Sequence, residues 1–206
     1  YDGAREATTF DVYKDTANIT VELPENAKAG ESADITGSVN DKGGNPIANM
    51  PVNVTVNGKT YPTMTDENGN YIVTVDDLLP GQYNVTVSSG NYSTEINPVD
   101  GTFTVSKLDD EITIDDPTDI PVGKDVTIEG RLLDENNDPI ADAEVTVTFD
   151  GINQTVITDS EGYYSATFPT TSVGTKVVKA EYAGNEIYNS ANKNTNINIV
   201  PNKGTI

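Results

Sequence analysis

The residues of this sequence whose types and spacing could do chemistry are oxygen donors. Asp134, Asn136 and Asp138 alternate in the segment DENND, as hard ligands do in the first half of a calcium loop. Pro139 stands where such a loop needs its Gly, and no Glu follows at the twelfth position, so a plain β-turn is the reading the segment favours. A second acidic group, Asp109, Asp110 and Glu111, runs on through Asp115, Asp116 and Asp119. It has the carboxylate density of a calcium-stiffened stalk and equally that of a solvated acidic surface. Calcium is the single candidate ion, and no organic cofactor is expected.

Other chemistry is narrowed by what is missing. The chain has no Cys and no His, which removes disulfides, thiolate nucleophiles, imidazole bases and the usual zinc ligands. Carboxylates are plentiful but fall in turns and linkers, so no catalytic residue is assigned and the chain is read as non-enzymatic. Asp66 with Gly69, and Asp159 with Gly162, have hairpin-turn spacing, the Asp accepting backbone N–H groups and the Gly taking positive φ. A Lys–Asn isopeptide bond between Lys14 or Lys107 and Asn194, Asn196 or Asn198 would need a buried lysine, and these lysines lie in polar linkers. Sequons at Asn18, Asn53, Asn84, Asn91 and Asn153 would carry glycans only in a glycosylating host.

Tyrosine is the remaining chemically useful side chain, ten against four Phe. Exposed phenol rings stack on sugars, whereas buried ones fill cores with the hydroxyl reaching the rim. Tyr61, Tyr71, Tyr83, Tyr92, Tyr163, Tyr164, Tyr182 and Tyr188 could serve either way; Tyr71, Tyr83 and Tyr164 fall on core-facing or corner positions, and Tyr61, Tyr92 and Tyr188 are the ligand-binding candidates.

A net charge of −21 over 206 residues repels nucleic acid and anionic lipid headgroups. No apolar run approaches the roughly 18 residues needed to cross a bilayer, so membrane insertion of this stretch is not expected. Tyr1 to Phe10 lacks the basic start and apolar middle of a signal peptide. The length suits two domains of about 100 residues.

Internal similarity favours two as well. At a fixed register of 93 residues, the separation of Asp66 and Asp159, Pro46, Ile47, Ala48, Val52, Val54 and Gly58 meet Pro139, Ile140, Ala141, Val145, Val147 and Gly151. Thr65, Gly69, Tyr71 and Gly81 likewise meet Thr158, Gly162, Tyr164 and Gly174. This is an internal repeat. Residues 1–14 read as the last strand of a preceding repeat or a leader, 15–107 as repeat one, 108–200 as repeat two, and 201–206 as a linker toward a following repeat.

Within each repeat the apolar residues alternate, the signature of strands with one buried face. Repeat two gives strands around Ile112, Ile128, Val147, Val156, Ala166, Ala180 and Ile197, and repeat one around Ile19, Ile35, Val52, Met64, Tyr71, Val85 and Val105. Seven short strands separated by Gly, Asn, Asp and Pro clusters predict an all-β chain of two tandem immunoglobulin-like Greek-key β-sandwich domains. LPGQYNVTV, Leu79 to Val87, fits a tyrosine corner at Tyr83; Lys176 takes that place in repeat two.

Gly123 to Gly130 (GKDVTIEG), the Pro139–Ile140–Ala141 core, Thr158 to Tyr164 (TDSEGYY) and Tyr182 to Gly184 (YAG) resemble bacterial immunoglobulin-like repeats, above all the tandem repeats of adhesin-like surface proteins of methanogenic archaea and bacteria. Repeat one departs after Gly90, with Asn91 and Tyr92 in place of the YAG pattern. The resemblance implies an extracellular, cell-surface stalk of β-sandwiches that projects a binding region or itself binds. Its partner would be a surface protein or glycan of another cell, with the chain monomeric and neighbouring repeats in cis. Two other roles stay open: a structural cell-wall or S-layer component, and an accessory module of an extracellular glycoside hydrolase.

Overall fold

The computed structural model of the chain describes residues 15–90, 94–115 and 118–202. The strand expected within residues 1–14, Lys14 included, lies outside the described residues, as do Tyr92, Asp116 and residues 203–206. Among the described residues there is no helix. The chain divides between Ser106 and Lys107 into two compact units.

The first unit contains β1 (Asp15–Ile19), β2 (Ala27–Lys28), β3 (Ala33–Asp41), β4 (Pro51–Val56), β5 (Lys59–Met64), β6 (Asn70–Val75), β7 (Gly81–Ser89), β8 (Thr94–Glu95) and β9 (Val99–Ser106). One sheet runs β6-β3-β1-β8 and the other β2-β9-β7-β4-β5. The second unit contains β10 (Asp110–Ile112), β11 (Ile120–Pro121), β12 (Asp125–Asp134), β13 (Glu144–Phe149), β14 (Ile152–Ile157), β15 (Tyr163–Pro169), β16 (Gly174–Tyr182) and β17 (Ala191–Val200). Its sheets run β10-β12-β15 and β11-β17-β16-β13-β14. In both units the chain crosses between sheets after the long third strand (β3, β12), as a Greek-key sandwich requires.

Alternation explains the packing. Inward residues of facing sheets, Ile35, Val39, Val52, Val54, Val85 and Val87 in the first unit and Val126, Ile128, Leu132, Val145, Val147 and Phe168 in the second, are fully or almost fully buried. Each such side chain contributes about 1.5–3 kcal/mol relative to exposure. The β4–β5 and β13–β14 hairpins turn at Asn57–Gly58 and Asp150–Gly151, both residues of each pair at positive φ, as a two-residue turn matched to strand twist demands.

Both units also fasten their first strand in the same way. The Tyr71 hydroxyl of β6 reaches across Gly37 of β3 and donates to the Thr20 carbonyl at 2.6 Å. In the second unit the Tyr164 hydroxyl crosses Gly130 to the Thr113 carbonyl. A Cβ at Gly37 or Gly130 would overlap both the carbonyl oxygen and the phenol, so these positions need Gly for space. Buried Thr65 and Thr158 each accept a backbone N–H, from Met50 and Ala143, and donate to Ile47 and Ile140 carbonyls.

Strands β2, β8 and β11 have no signal in the sequence, because two-residue pairings carry no period. β2 and β11 lie parallel to the last strand of their own unit, pairing Ala27 with Val105 and Ile120 with Ile199.

Candidate functional site

The turn carboxylates are engaged by backbone. Asp134 Oδ1 accepts the N–H groups of Asn136 and Asp138, both at 2.9 Å. Asp66 Oδ1 does the same for Asn68 and Asn70, and Asp159 Oδ1 for Glu161 and Tyr163. Gly69 and Gly162 take φ of +75° and +77°, the hairpin geometry their spacing implied. Asp41, at the place of Asp134, accepts from both the amide side chain and the backbone of Asn45; those bonds hold its carboxyl below the usual range.

Two acidic groups that are separate in sequence meet in the second unit. Asp110 of β10 stands directly opposite Asp134 of β12 in the ladder. Glu135 Oε2 accepts the Asp109 N–H at 3.3 Å, and Asn189 donates to Asp109 Oδ1 at 2.8 Å. Glu111, Asn136 and Asp138 point to solvent. Among the described residues no three carboxylates are grouped so that they could hold a metal ion. The segment DENND is built as a turn, with its first carboxylate spent on backbone N–H groups.

Spacing did not reveal the most unusual group in this cluster. Both carboxylate oxygens of Asp110 are buried without a hydrogen-bond partner among the described residues, and so is the Tyr182 hydroxyl, on a residue only 5% exposed. Burial first, then the neighbouring Asp109, pushes the Asp110 carboxyl up to about 6. Burial, with Asp110 adding to it, raises Tyr182. Tyr188 is raised by burial and then by Asp134 and Asp138. The signal available in the sequence was the repeat itself, which puts Ala17 and Ser89 where Asp110 and Tyr182 fall.

The tyrosine candidates separate on burial. Tyr61 packs against the first core with Lys59 Nζ 4.8 Å from its ring centroid. Tyr188 packs against the second core. Both are half-buried rather than open platforms, while Tyr92 lies outside the described residues. Among the described tyrosines the open one is Tyr163, 51% exposed. It faces Arg131 across the β12–β15 ladder, with the guanidinium carbon 4.9 Å from the ring centroid. Arg131 Nε is fixed by the Glu161 carbonyl at 2.7 Å. Tyr163 borders a surface hollow of about 500 Å³ with Asp115, Glu129, Ile157, Asp159 and Ser165 on its walls.

The expected corner is present: the Tyr83 hydroxyl donates to the Leu79 carbonyl at 3.0 Å and accepts its N–H at 3.1 Å. Lys176, in that place in repeat two, instead bonds Asp150 and Ser172. Lys107 Nζ donates to the Asn185 backbone carbonyl, and Asn194, Asn196 and Asn198 are exposed on β17; among the described residues no pairing between them for an isopeptide bond is formed.

Comparison with known proteins agrees with this architecture. Over 98% of its length the chain is 26% identical to Structural protein 27 of a virus (isolate Australia/Victoria), of which it spans 41%. The crystal structure of invasin, a bacterial integrin-binding protein, superposes with a TM-score of 0.50 at 21% identity, covering 89% of this chain and 39% of that one. An adhesin of Yersinia pseudotuberculosis gives 0.39 at 17% identity, covering 88% of this chain and 58% of that one. The likeness to invasin is one of fold. Residues 34–114, which run from the first unit through β10 of the second, and 127–202, together well over half of the chain, match the family described as Carboxypeptidase regulatory-like domain, and the chain belongs to that family.

Proposed function

We propose that this chain is a non-enzymatic segment of a larger surface protein, an adhesin-like stalk in which repeated sandwiches space a binding region outward and contribute contacts of their own. The observation that carries the reading is the fastening found twice: a phenol locks the first strand to the sheet, and a short strand lies parallel to the last. Tension along the chain enters a unit through its first strand and leaves through its last. Hydrogen bonds between parallel strands then load in shear, together rather than one by one. The acidic coat keeps such a segment soluble and turned away from lipid and nucleic acid. Likeness of fold alone does not assign a role, so the reading rests on this construction and on the repeat. Antibodies raised against the chain are expected to label intact particles or cells of the producing organism without permeabilisation; label that appears only after permeabilisation overturns the surface placement.

A second reading is favoured by the similarity to a viral structural protein: the repeats are structural parts of a particle or wall and bind no other cell. Beads coated with the chain separate the two, since a stalk with contacts of its own retains beads on target cells and a purely structural part does not.

A further inference from the structure

The two units carry the same hollow at the same place. In the first it measures about 430 Å³, with Glu22, Thr36, Met64, Asp66, Asn70 and Ile72 on its walls. These are the residues that the repeat register sets against Asp115, Glu129, Ile157, Asp159, Tyr163 and Ser165. Tyr71 borders the first hollow but is buried; among the described residues, only the second hollow has an exposed phenol ring with a guanidinium against it, for Ser38 and Asn70 stand where Arg131 and Tyr163 stand. From this difference we propose that the Tyr163 hollow of the second unit is a binding site for neutral sugar rings, a proposal that rests on the reading of the chain as a surface module with contacts of its own.

The chemistry of the walls selects the ligand. Arg131, held against the ring and by the Glu161 carbonyl, fixes the ring's orientation, while half of the tyrosine stays exposed. A pyranose presents an apolar C–H face that stacks on such a ring, and a rim of hydroxyls that each need a donor and an acceptor. Both kinds are at hand. Asp159 keeps Oδ2 free of the turn bonds made by Oδ1, and Asp115 and Glu129 add acceptors. Arg131 has N–H groups beyond the Nε bond as donors, and the Ser165 hydroxyl, which donates to Glu129 Oε1 at 3.4 Å, adds an acceptor oxygen. The three carboxylates on its walls, in a chain of net charge −21, repel uronates, sialosides and phosphosugars. A cationic peptide meets the opposite difficulty, because the cation seat on the ring is already filled by Arg131.

The test is native affinity electrophoresis of the whole chain in gels holding neutral polysaccharides (β-glucan, mannan, galactan, N-acetylglucosamine polymer), with NMR titration against the matching oligosaccharides to about 10 mM, the range of weak single-site sugar binding. At least one sugar is expected to retard the protein and shift the Tyr163 ring resonances. Tyr163→Ala should weaken binding about tenfold or more, the loss of one stacking contact worth about 1.4 kcal/mol, while Tyr163→Phe keeps it and Asn70→Ala leaves it unchanged. The double substitution Ser38→Arg with Asn70→Tyr should raise the stoichiometry from one to two. No binding across the panel, binding that survives Tyr163→Ala, or retardation by polylysine or polyuronate alone overturns the proposal. Surface labelling reads out independently, so its success beside a silent sugar panel removes only this inference.

Discussion

Ala17 and Ser89 in the first unit occupy the places that Asp110 and Tyr182 occupy in the second. The first pair is quiet: Ala17 is buried, and the Ser89 hydroxyl donates to the Pro51 carbonyl at 2.7 Å. The second pair buries three oxygens with no partner among them. On one scaffold, then, the turns, the buried threonines and the phenol fastening are kept in both copies, while one end of the sandwich and one lateral hollow differ. Features present twice answer to the fold. Features present once, and at a cost to stability, mark where the second unit departs from what the fold alone asks.

The largest expected effect tests the shared part. Gly37→Ala and Gly130→Ala each drive a methyl into a carbonyl oxygen and a phenol, so each should destabilise its own unit by about 3 kcal/mol, the upper range for overpacking. Tyr71→Phe and Tyr164→Phe, which remove only the hydrogen bond, should cost about 1–2 kcal/mol. Hydrogen exchange followed by mass spectrometry on the full chain reads the two units separately. Equal losses in both units support a common fastening; a Gly substitution no worse than its Tyr→Phe counterpart shows that the close approach is not a constraint.

A smaller effect, of opposite sign, tests the difference. The Asp110 carboxyl titrates near 3.8 when free and is lifted by burial and Asp109 to about 6 when folded. Between those values the folded unit holds a proton that the unfolded chain has released. This stabilisation is complete below about pH 4 and is lost as pH rises through 6. Asp110→Ala, the residue the first unit already uses, should therefore stabilise the second unit at pH 7 by about 1 kcal/mol, the lower range for relieving an unsatisfied buried group. It should also flatten that unit's stability between pH 4 and 7 while leaving the first unit unchanged. A loss of stability at pH 7 would mean that Asp110 has a partner, water or cation, that satisfies it.

How much of this could be read from the chain follows from what has a period. The long strands were legible because alternation and turn residues coincide, as at Val145, Val147 and Phe149 before Asp150 and Gly151. The turn role of Asp66 and Asp159 was legible because Asx spacing is local. The fastening was not, since Tyr71 and the Thr20 carbonyl lie 51 residues apart and only the close approach at Gly37 explains that glycine. Tyr163, one of the tyrosines that could stack on sugars, is not singled out by the sequence, because its neighbour Tyr164 is the core residue; one step along a strand reverses the face, and choosing the open ring needed register, not composition. Asp110 and Asp134 belong to separate acidic segments of the sequence and meet only because β10 pairs with β12.

The finest contrast is at the corner. Tyr83 closes a tight ring of bonds with the Leu79 backbone and stacks on Phe103, ring centroids 5.2 Å apart. Lys176 answers with an ion pair to Asp150 at 2.8 Å, the lysine side chain 16% and the Asp side chain 41% exposed. The phenol bonds join neutral groups and lose little to salt, whereas an ion pair with one partner open to water is worth about 0.2–1 kcal/mol and is screened. Tyr83→Phe should cost the first unit about 1 kcal/mol at any ionic strength. Lys176→Met should cost the second about half that at low salt and nothing measurable near 1 M. Amide exchange at Tyr83 should accordingly be slower than at Lys176, with the gap widening as salt is added. Equal protection at all salt concentrations would show that the two corners, built from different chemistry, hold their strands equally well, and the contrast between the units would then reduce to Asp110 and Tyr163.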